Sequence, residues 1–385
     1  MYNLLKFRRF LNTSRNIVGK HKHEQIVCVE TEIYSPFINN GIHYRGYPLS
    51  KLAIRNKFLD NFYLLLNADL PTKNQDVEFS NKIKTGMKDI PTTIRNLNTA
   101  IPANINICDF LTSSFSLMNL NNGGNYDREY GHIFGQCLGI LSERYLPDVK
   151  YNFDSGDPFM SFAKCLLFNR ELEFDESVSK LLNSIFTIYM EHGLTSASYN
   201  CRICISEGGS TFSGLICAAA THKYAMETLN SYLMLNELTD KQLQEVLKSF
   251  ELNNNLKFPL DEVTFNRRDP RCKIIAEICK EHFGEDVFTK LSEIENKFSN
   301  RLYFKFDVYI FELMKRLYNH VNNGCDDHHS SGNLFNKEFK NKIMALLIAS
   351  RIAGWLSHIS EQRKIGRRIE HIAAYVGVPP RLKYP

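Results

Sequence analysis

No apolar run in this 385-residue sequence approaches the roughly 20 residues that a membrane-spanning helix needs. The longest, near Leu215–Ala220 and Ile343–Ala349, stop well short, which predicts a soluble chain with no membrane partner. Biased composition is absent too: 12 Pro and 20 Gly exclude a collagen-like or low-complexity polypeptide. Cysteine is sparse, ten residues at irregular spacing, so a disulfide scaffold is excluded and reduced thiols are expected. Surplus charge of one sign is missing from most of the chain. The net +5 arises in the first 23 residues, where Lys6, Arg8, Arg9, Arg15, Lys20 and Lys22 stand without an acid; the remainder holds 41 Lys and Arg against 42 Asp and Glu. A neutral body has no clustered cations for phosphates, so no nucleic-acid partner is expected.

What is present is core material. A hydrophobic fraction of 43%, with 27 Phe and 18 Tyr, can fill one large or two ordinary domains. After residue 50 apolar side chains recur every three or four positions and strand-like alternation is scarce, which predicts an all-α fold. Helices are expected at Leu52–Leu66, Tyr130–Leu146, Ser177–Met190, Tyr199–Cys204 with a continuation over Thr211–Tyr224, Lys241–Phe250, Cys272–Phe283 and Ile343–Ile359. Breaks fall at Pro36, Pro71, Pro102, Pro147 to Pro158, Gly208–Gly209 and Asn253–Asn255.

The acid-free start places Leu4, Phe7 and Leu11 at helical spacing among its cations, as a mitochondrial import presequence requires. A solvated basic terminus or a plastid-type transit segment shares that chemistry; the reading adopted is residues 1–23 as presequence and the mitochondrial matrix as destination. Asn119–Asn125 and Asn319–Asn333 read as polar inserts. The second contains Cys325, Asp326, Asp327, His328 and His329, but consecutive ligand types cannot all face one ion, so no metal is expected. Cys201 and Cys204 form a lone CxxC without a second pair, and read as buried cysteines of one helix face.

Five segments carry chemistry: RGYPLSKLA (Arg45–Ala53), MEHGLTSAS (Met190–Ser198), RRDPR (Arg267–Arg271), LYFKFDVY (Leu302–Tyr309) and ASRIAGWLSHISEQ (Ala349–Gln362), the last followed by YVG (Tyr375–Gly377). In this order and spacing they resemble the citrate synthase family. The resemblance implies an all-helical two-domain fold and a homodimer. A large domain would comprise 24–223 and 334–385, and a small inserted domain, 224–333, would close over the substrates. It implies an acyltransferase joining acetyl-CoA to oxaloacetate, with acetyl-CoA as co-substrate and no permanently bound cofactor. That reaction needs a carboxylate base at the thioester methyl, a donor for the enolate oxygen, and arginines for a dianionic oxo acid.

Carried over by motif, Asp307 is the base, His192 a substrate-binding imidazole, and Arg271 and Arg351 hold carboxylates; Arg267 and Arg268 meet coenzyme phosphates. Without the motif, His192 reads as a helix-end cap, Asp307 as a solvent-facing acid, and the two arginines as surface ion-pair partners. Gap-free counting places Glu227 at the family's GPLHGGAN histidine, Glu262 at its GHRVY histidine and Glu370 at the arginine of its RP pair. Ionised carboxylates accept hydrogen bonds and do not donate them. A register shift that brings in His222, Arg367 or Arg368 would repair the pattern. Two readings therefore stand: a condensing enzyme, or an impaired relative that binds metabolites or pairs with a partner chain. The EHGLTSAS segment also resembles lyases of the same superfamily that split citryl-CoA.

Overall fold

The computed structural model describes residues 29–38, 41–102, 104–121, 129–147, 156–168, 176–222, 268–297, 303–323 and 337–370. Three short strands, β1 (Tyr34–Ile38), β2 (Gly41–Tyr44) and β3 (Tyr47–Pro48), form an antiparallel meander ahead of the first described helix. Pro36, expected to be a break, lies within β1, where the pairing slips between Ser35 and Ile38. A proline lacks the N–H that an unbroken ladder would use. Arg45 and Gly46 both take positive φ, 48° and 84°, and make the two-residue hairpin turn between β2 and β3. The Arg45 guanidinium then donates to the Leu65 carbonyl oxygen at 2.8 and 3.2 Å, so the RGYP motif ties the meander to the helices.

In chain order the helices are α1 (Leu49–Arg55), α2 (Phe58–Asn67), α3 (Lys73–Lys88), α4 (Thr92–Ala100), α5 (Ile107–Asn121), α6 (Tyr130–Tyr145) and α7 (Pro158–Phe168). They continue as α8 (Glu176–Met190), α9 (Ser196–Ser206), α10 (Thr211–Thr221), α11 (Pro270–Phe283), α12 (Thr289–Lys297), α13 (Phe306–Asn323) and α14 (Lys337–Ile365). The all-α expectation holds. The single helix expected over 52–66 is two, broken at Asn56 and Lys57, and the region after Tyr199 is a hairpin turning at Gly208 and Gly209. Ser210 starts α10 by accepting the Ser213 N–H at 2.9 Å, and Asp269 starts α11 with Pro270 as its first residue. Lys241–Phe250, Cys325–His329 and the presequence lie outside the described residues, as do both junctions of the inserted domain.

At the centre runs α14, buried continuously from Lys342 to Gln362. Its Phe339–Ile365 portion is long and apolar enough to cross a bilayer, which corrects the sequence reading; its most apolar window is wholly buried inside the fold. Such a helix is apolar all round because neighbours surround it. Phe58, Phe134, Phe159 and Phe186 join α2, α6, α7 and α8 in one aromatic cluster, with Phe58 stacked on Phe159 at 4.0 Å and Phe186 edge-on to Phe159 at 5.1 Å. Small residues set the approach of α14 to its neighbours. A Cβ on Gly354 would stand 2.3 Å from the Met190 carbonyl oxygen at the end of α8. Gly354→Ala is therefore expected to lower stability by about 1–3 kcal/mol, read as a lower urea midpoint at unchanged slope.

Candidate active site

The end of α8 is held by a polar scaffold. Tyr44 Oη donates to the Glu191 carbonyl oxygen at 2.9 Å, and the Glu191 carboxylate meets Nε2 of His358, from α14, at 3.2 Å, with both side chains fully buried. The Gly193 N–H donates to the same carboxylate. Burial alone would raise the Glu191 pKa, but His358, Arg351 and this N–H outweigh it and hold the group below its ordinary value. Gly193, at φ 72°, turns the chain so that the Tyr34 ring lies where a Cβ would be. His192 is thereby fixed edge-on to Tyr34, with ring centroids 6.3 Å apart.

Around this turn four elements converge. From the first turn of α13, Asp307 accepts a 2.6 Å hydrogen bond from Tyr189 Oη, on the last turn of α8. From α14, the Arg351 guanidinium lies over the Tyr189 ring, 4.7 Å from its centroid. From the start of α11, Arg271 lies 4.2 Å over the Phe306 ring and is gripped by the buried Asp269 carboxylate at 2.6–3.1 Å. His222, the C-cap of α10, stands edge-on to Trp355 of α14 at 5.3 Å.

Burial, followed by Arg271 and Arg351, pushes the His192 pKa well below its ordinary value, against the pull of Asp269. Burial and then Arg351 push His222 down to about 4, against Asp307. Burial and Asp307 raise the Tyr189 phenol far above its usual range. At neutral pH the cluster therefore sets two neutral imidazoles and a phenol beside Asp307, Arg271 and Arg351. Nε and Nη1 of Arg351, and Nε2 of His222, are buried and have no hydrogen-bond partner among the described residues.

Asp307, His192, Arg271 and Arg351 are thus brought together, and the two arginines are buried rather than surface ion-pair partners. Glu227, Glu262 and Arg267 lie outside the described residues. Glu370 is exposed and acts on Arg368, whose guanidinium bonds Glu207. Arg268 pairs with the buried Glu295 and lies 5.5 Å over the Tyr303 ring. It lines a cavity of about 550 Å³ with Lys273 and Lys280.

His222, named above as a residue that a register shift would bring in, caps α10, which stops at Thr221. Tyr189 carried no motif. Glu295 was missed as well: it accepts from the Phe304 N–H at 2.9 Å and from Tyr309 Oη at 3.0 Å, fixing the entry to α13.

A family model described as the C-terminal domain of citrate synthase matches residues 22–372. The chain belongs to the citrate synthase family. The 2-methylcitrate synthase of Shewanella oneidensis is 22% identical over 360 residues, covering 90% of this chain and 91% of its own. The Thermotoga maritima citrate synthase structure covers 95% of this chain and 98% of its own, at 21% identity and a TM-score of 0.70. The Thermoplasma acidophilum citrate synthase, solved in ternary complex with carboxymethyl coenzyme A and oxaloacetate, gives a TM-score of 0.73 at 18% identity, covering 94% of this chain and 97% of its own. The fold is that of citrate synthases.

The depressed imidazoles have a consequence for stability. A group whose folded pKa lies below its unfolded value stabilises the fold fully above the unfolded pKa, and that stabilisation is lost as pH falls toward the folded pKa. For His222 the window runs from 6.5 down to about 4. Asp157, raised by burial to about 6, works in the opposite direction. In a comparison with His222→Gln, Asp157 and His192 cancel. Wild type should lose on the order of 2–3 kcal/mol more than the variant between about pH 7.5 and about pH 4.5, measured by urea unfolding at each pH.

Proposed function

We propose that this chain is a condensing acyltransferase that joins an acyl-CoA to an oxo acid, with acetyl-CoA and oxaloacetate as the default pair. The observation that carries the reading is the Asp307 carboxylate, oriented by Tyr189 and within electrostatic range of a neutral His222 and of Arg351. Asp307 accepts a proton from the carbon next to the thioester, and a neutral His222 N–H stabilises the enolate oxygen. The enolate carbon then bonds to the ketone carbon, the ketone oxygen takes a proton, and water cleaves the thioester to free CoA. Arg351, with buried N–H groups that no described residue accepts, and Arg271, aligned by Asp269, offer charge to the oxo-acid carboxylates. His192, neutral and fixed against Tyr34, is a donor for the same substrate.

Arg268, with Lys273 and Lys280 around the neighbouring cavity, supplies positive charge for coenzyme phosphates. The remaining parts of the reading are a homodimer, closure of the 224–333 segment over the substrates, and import into the mitochondrial matrix directed by residues 1–23. Light scattering tests the dimer, and a fusion of residues 1–23 to a fluorescent protein tests the import.

Activity is tested by mixing purified protein with oxaloacetate and acetyl-CoA, or with the thioester one carbon longer that would give methylcitrate, and following released thiol with an indicator. Steady release supports the proposal. A folded protein that binds oxaloacetate but releases no thiol from either thioester would overturn it in favour of a metabolite-binding module.

A further inference from the structure

Tyr34 and Tyr44 stand opposite one another in the register of β1 and β2, with ring centroids 6.2 Å apart, and both reach the end of α8. Their hydroxyls differ. Tyr44 Oη has the carbonyl oxygens of Thr187, Ile188 and Glu191 within 2.9–3.3 Å. Tyr34 Oη is buried, on a residue only 9% exposed, and has no hydrogen-bond partner among the described residues. A buried hydroxyl left without a partner costs stability, so its presence calls for a partner that arrives from outside the fold.

The Tyr34 ring is fixed by what surrounds it. It lies edge-on to His192 at 6.3 Å, and two of its carbons stand 2.9 and 3.0 Å from where a Cβ on residue 193 would be, a space that Gly193 leaves open. The phenol is within electrostatic range of Arg271 first, and then of Asp269, Glu191 and Arg351. Burial, the largest influence, raises its pKa above the ordinary value, so it stays protonated at neutral pH and can donate. His192 and the two arginines are the groups already assigned to the oxo acid.

We propose that Tyr34 is a substrate-binding residue whose hydroxyl donates a hydrogen bond to the bound oxo acid, beside His192 and Arg271. Tyr34 takes this role only if the cluster is the oxo-acid site proposed above. A hydrogen bond from a neutral donor to a carboxylate is charge-assisted, and this one adds no charge to a site that already holds two guanidinium groups. The ring is packed in place before the substrate arrives, so binding has little left to order. Tyr34 lies in β1, upstream of the RGYP segment and outside every motif, and it brings the meander into the site. The Arg45 contacts to Leu65 that anchor the meander therefore also anchor this donor.

Tyr34→Phe removes the hydroxyl and keeps the ring against Gly193 and His192. Oxaloacetate is titrated calorimetrically into the full chain, wild type or variant, with no acyl-CoA present, and the ligand-free proteins are unfolded in urea. Tyr34→Phe is expected to bind oxaloacetate about 10- to 100-fold more weakly than wild type, the range for a lost hydrogen bond to a charged group. Its urea midpoint should equal or exceed that of wild type, because the free chain loses no bond. Tyr44→Phe, which strips a hydroxyl bonded within the fold, should lower the midpoint and gives the size of a structural effect. Equal or tighter binding by Tyr34→Phe would overturn the proposal and leave the condensation reading intact. A midpoint for Tyr34→Phe as low as that of Tyr44→Phe would also overturn it, by assigning the hydroxyl to the fold. Wild type that binds no oxaloacetate would overturn both this role and the oxo-acid site, an outcome distinct from the other two.

Discussion

Asp307→Asn is expected to lower kcat by about 10²–10⁴-fold in the thiol-release assay while leaving the unfolding midpoint close to wild type. The two expectations separate because asparagine keeps the shape of aspartate and a side-chain oxygen. Tyr189 Oη, now 2.6 Å from the carboxylate, retains an acceptor, and α13 retains its entry geometry through Glu295. What disappears is the capacity to take a proton. If the variant keeps the wild-type rate, Asp307 is not the base. If the rate falls together with stability, the carboxylate serves the fold, and the mechanism must move elsewhere in the cluster.

Arg202→Met should destabilise the protein by about 3–5 kcal/mol, because it strips the nearer of two guanidinium groups from a buried carboxylate and leaves it only Arg45, at 3.9 Å. Arg202 is fully buried in α9 and pairs with Glu361 on α14; it also donates to Gln362 and to the Glu30 carbonyl oxygen. Glu361 in turn accepts from Thr31 Oγ1 at 2.7 Å and from the Glu32 N–H at 2.8 Å, so it moors the entry to the meander. A second variant, Glu361→Gln in the Arg202→Met background, removes the charge but keeps an acceptor oxygen for the Glu32 N–H, while its amide NH2 can donate to Thr31 Oγ1. Recovery of part of the loss, read from urea midpoints, would show that the uncompensated charge and not lost packing dominates. No recovery would assign the cost to packing of the long arginine side chain.

These two residues mark how far the sequence could be read. Asp307 was visible because LYFKFDVY retains a spaced set of aromatic and apolar residues around one acid. Glu361 and Gln362 were visible only as part of a motif, and their work is to hold Arg202 rather than to touch a substrate. Helix positions followed from period, but boundaries did not: α14 extends to both sides of the Ile343–Ile359 stretch because its ends carry charged residues. The meander escaped a pattern reading because its strands are too short to establish alternation. His222 was visible as a candidate for repair, yet counting could not place it, since a helix end is fixed by packing and capping that a fixed register ignores. Tyr189 and Glu295 act through pairings across 118 and 9 residues, which no local spacing encodes.

The position of α14 in the chain bears on how the protein is made. It follows every other described helix in sequence yet fills the centre against which they are arranged. A growing polypeptide emerging from the ribosome would expose the apolar faces of α2, α6, α8, α9 and α10 before the segment that covers them has been synthesised. Such a chain cannot complete its core until α14 has left the ribosome, and its early intermediates should depend on chaperone shelter until then.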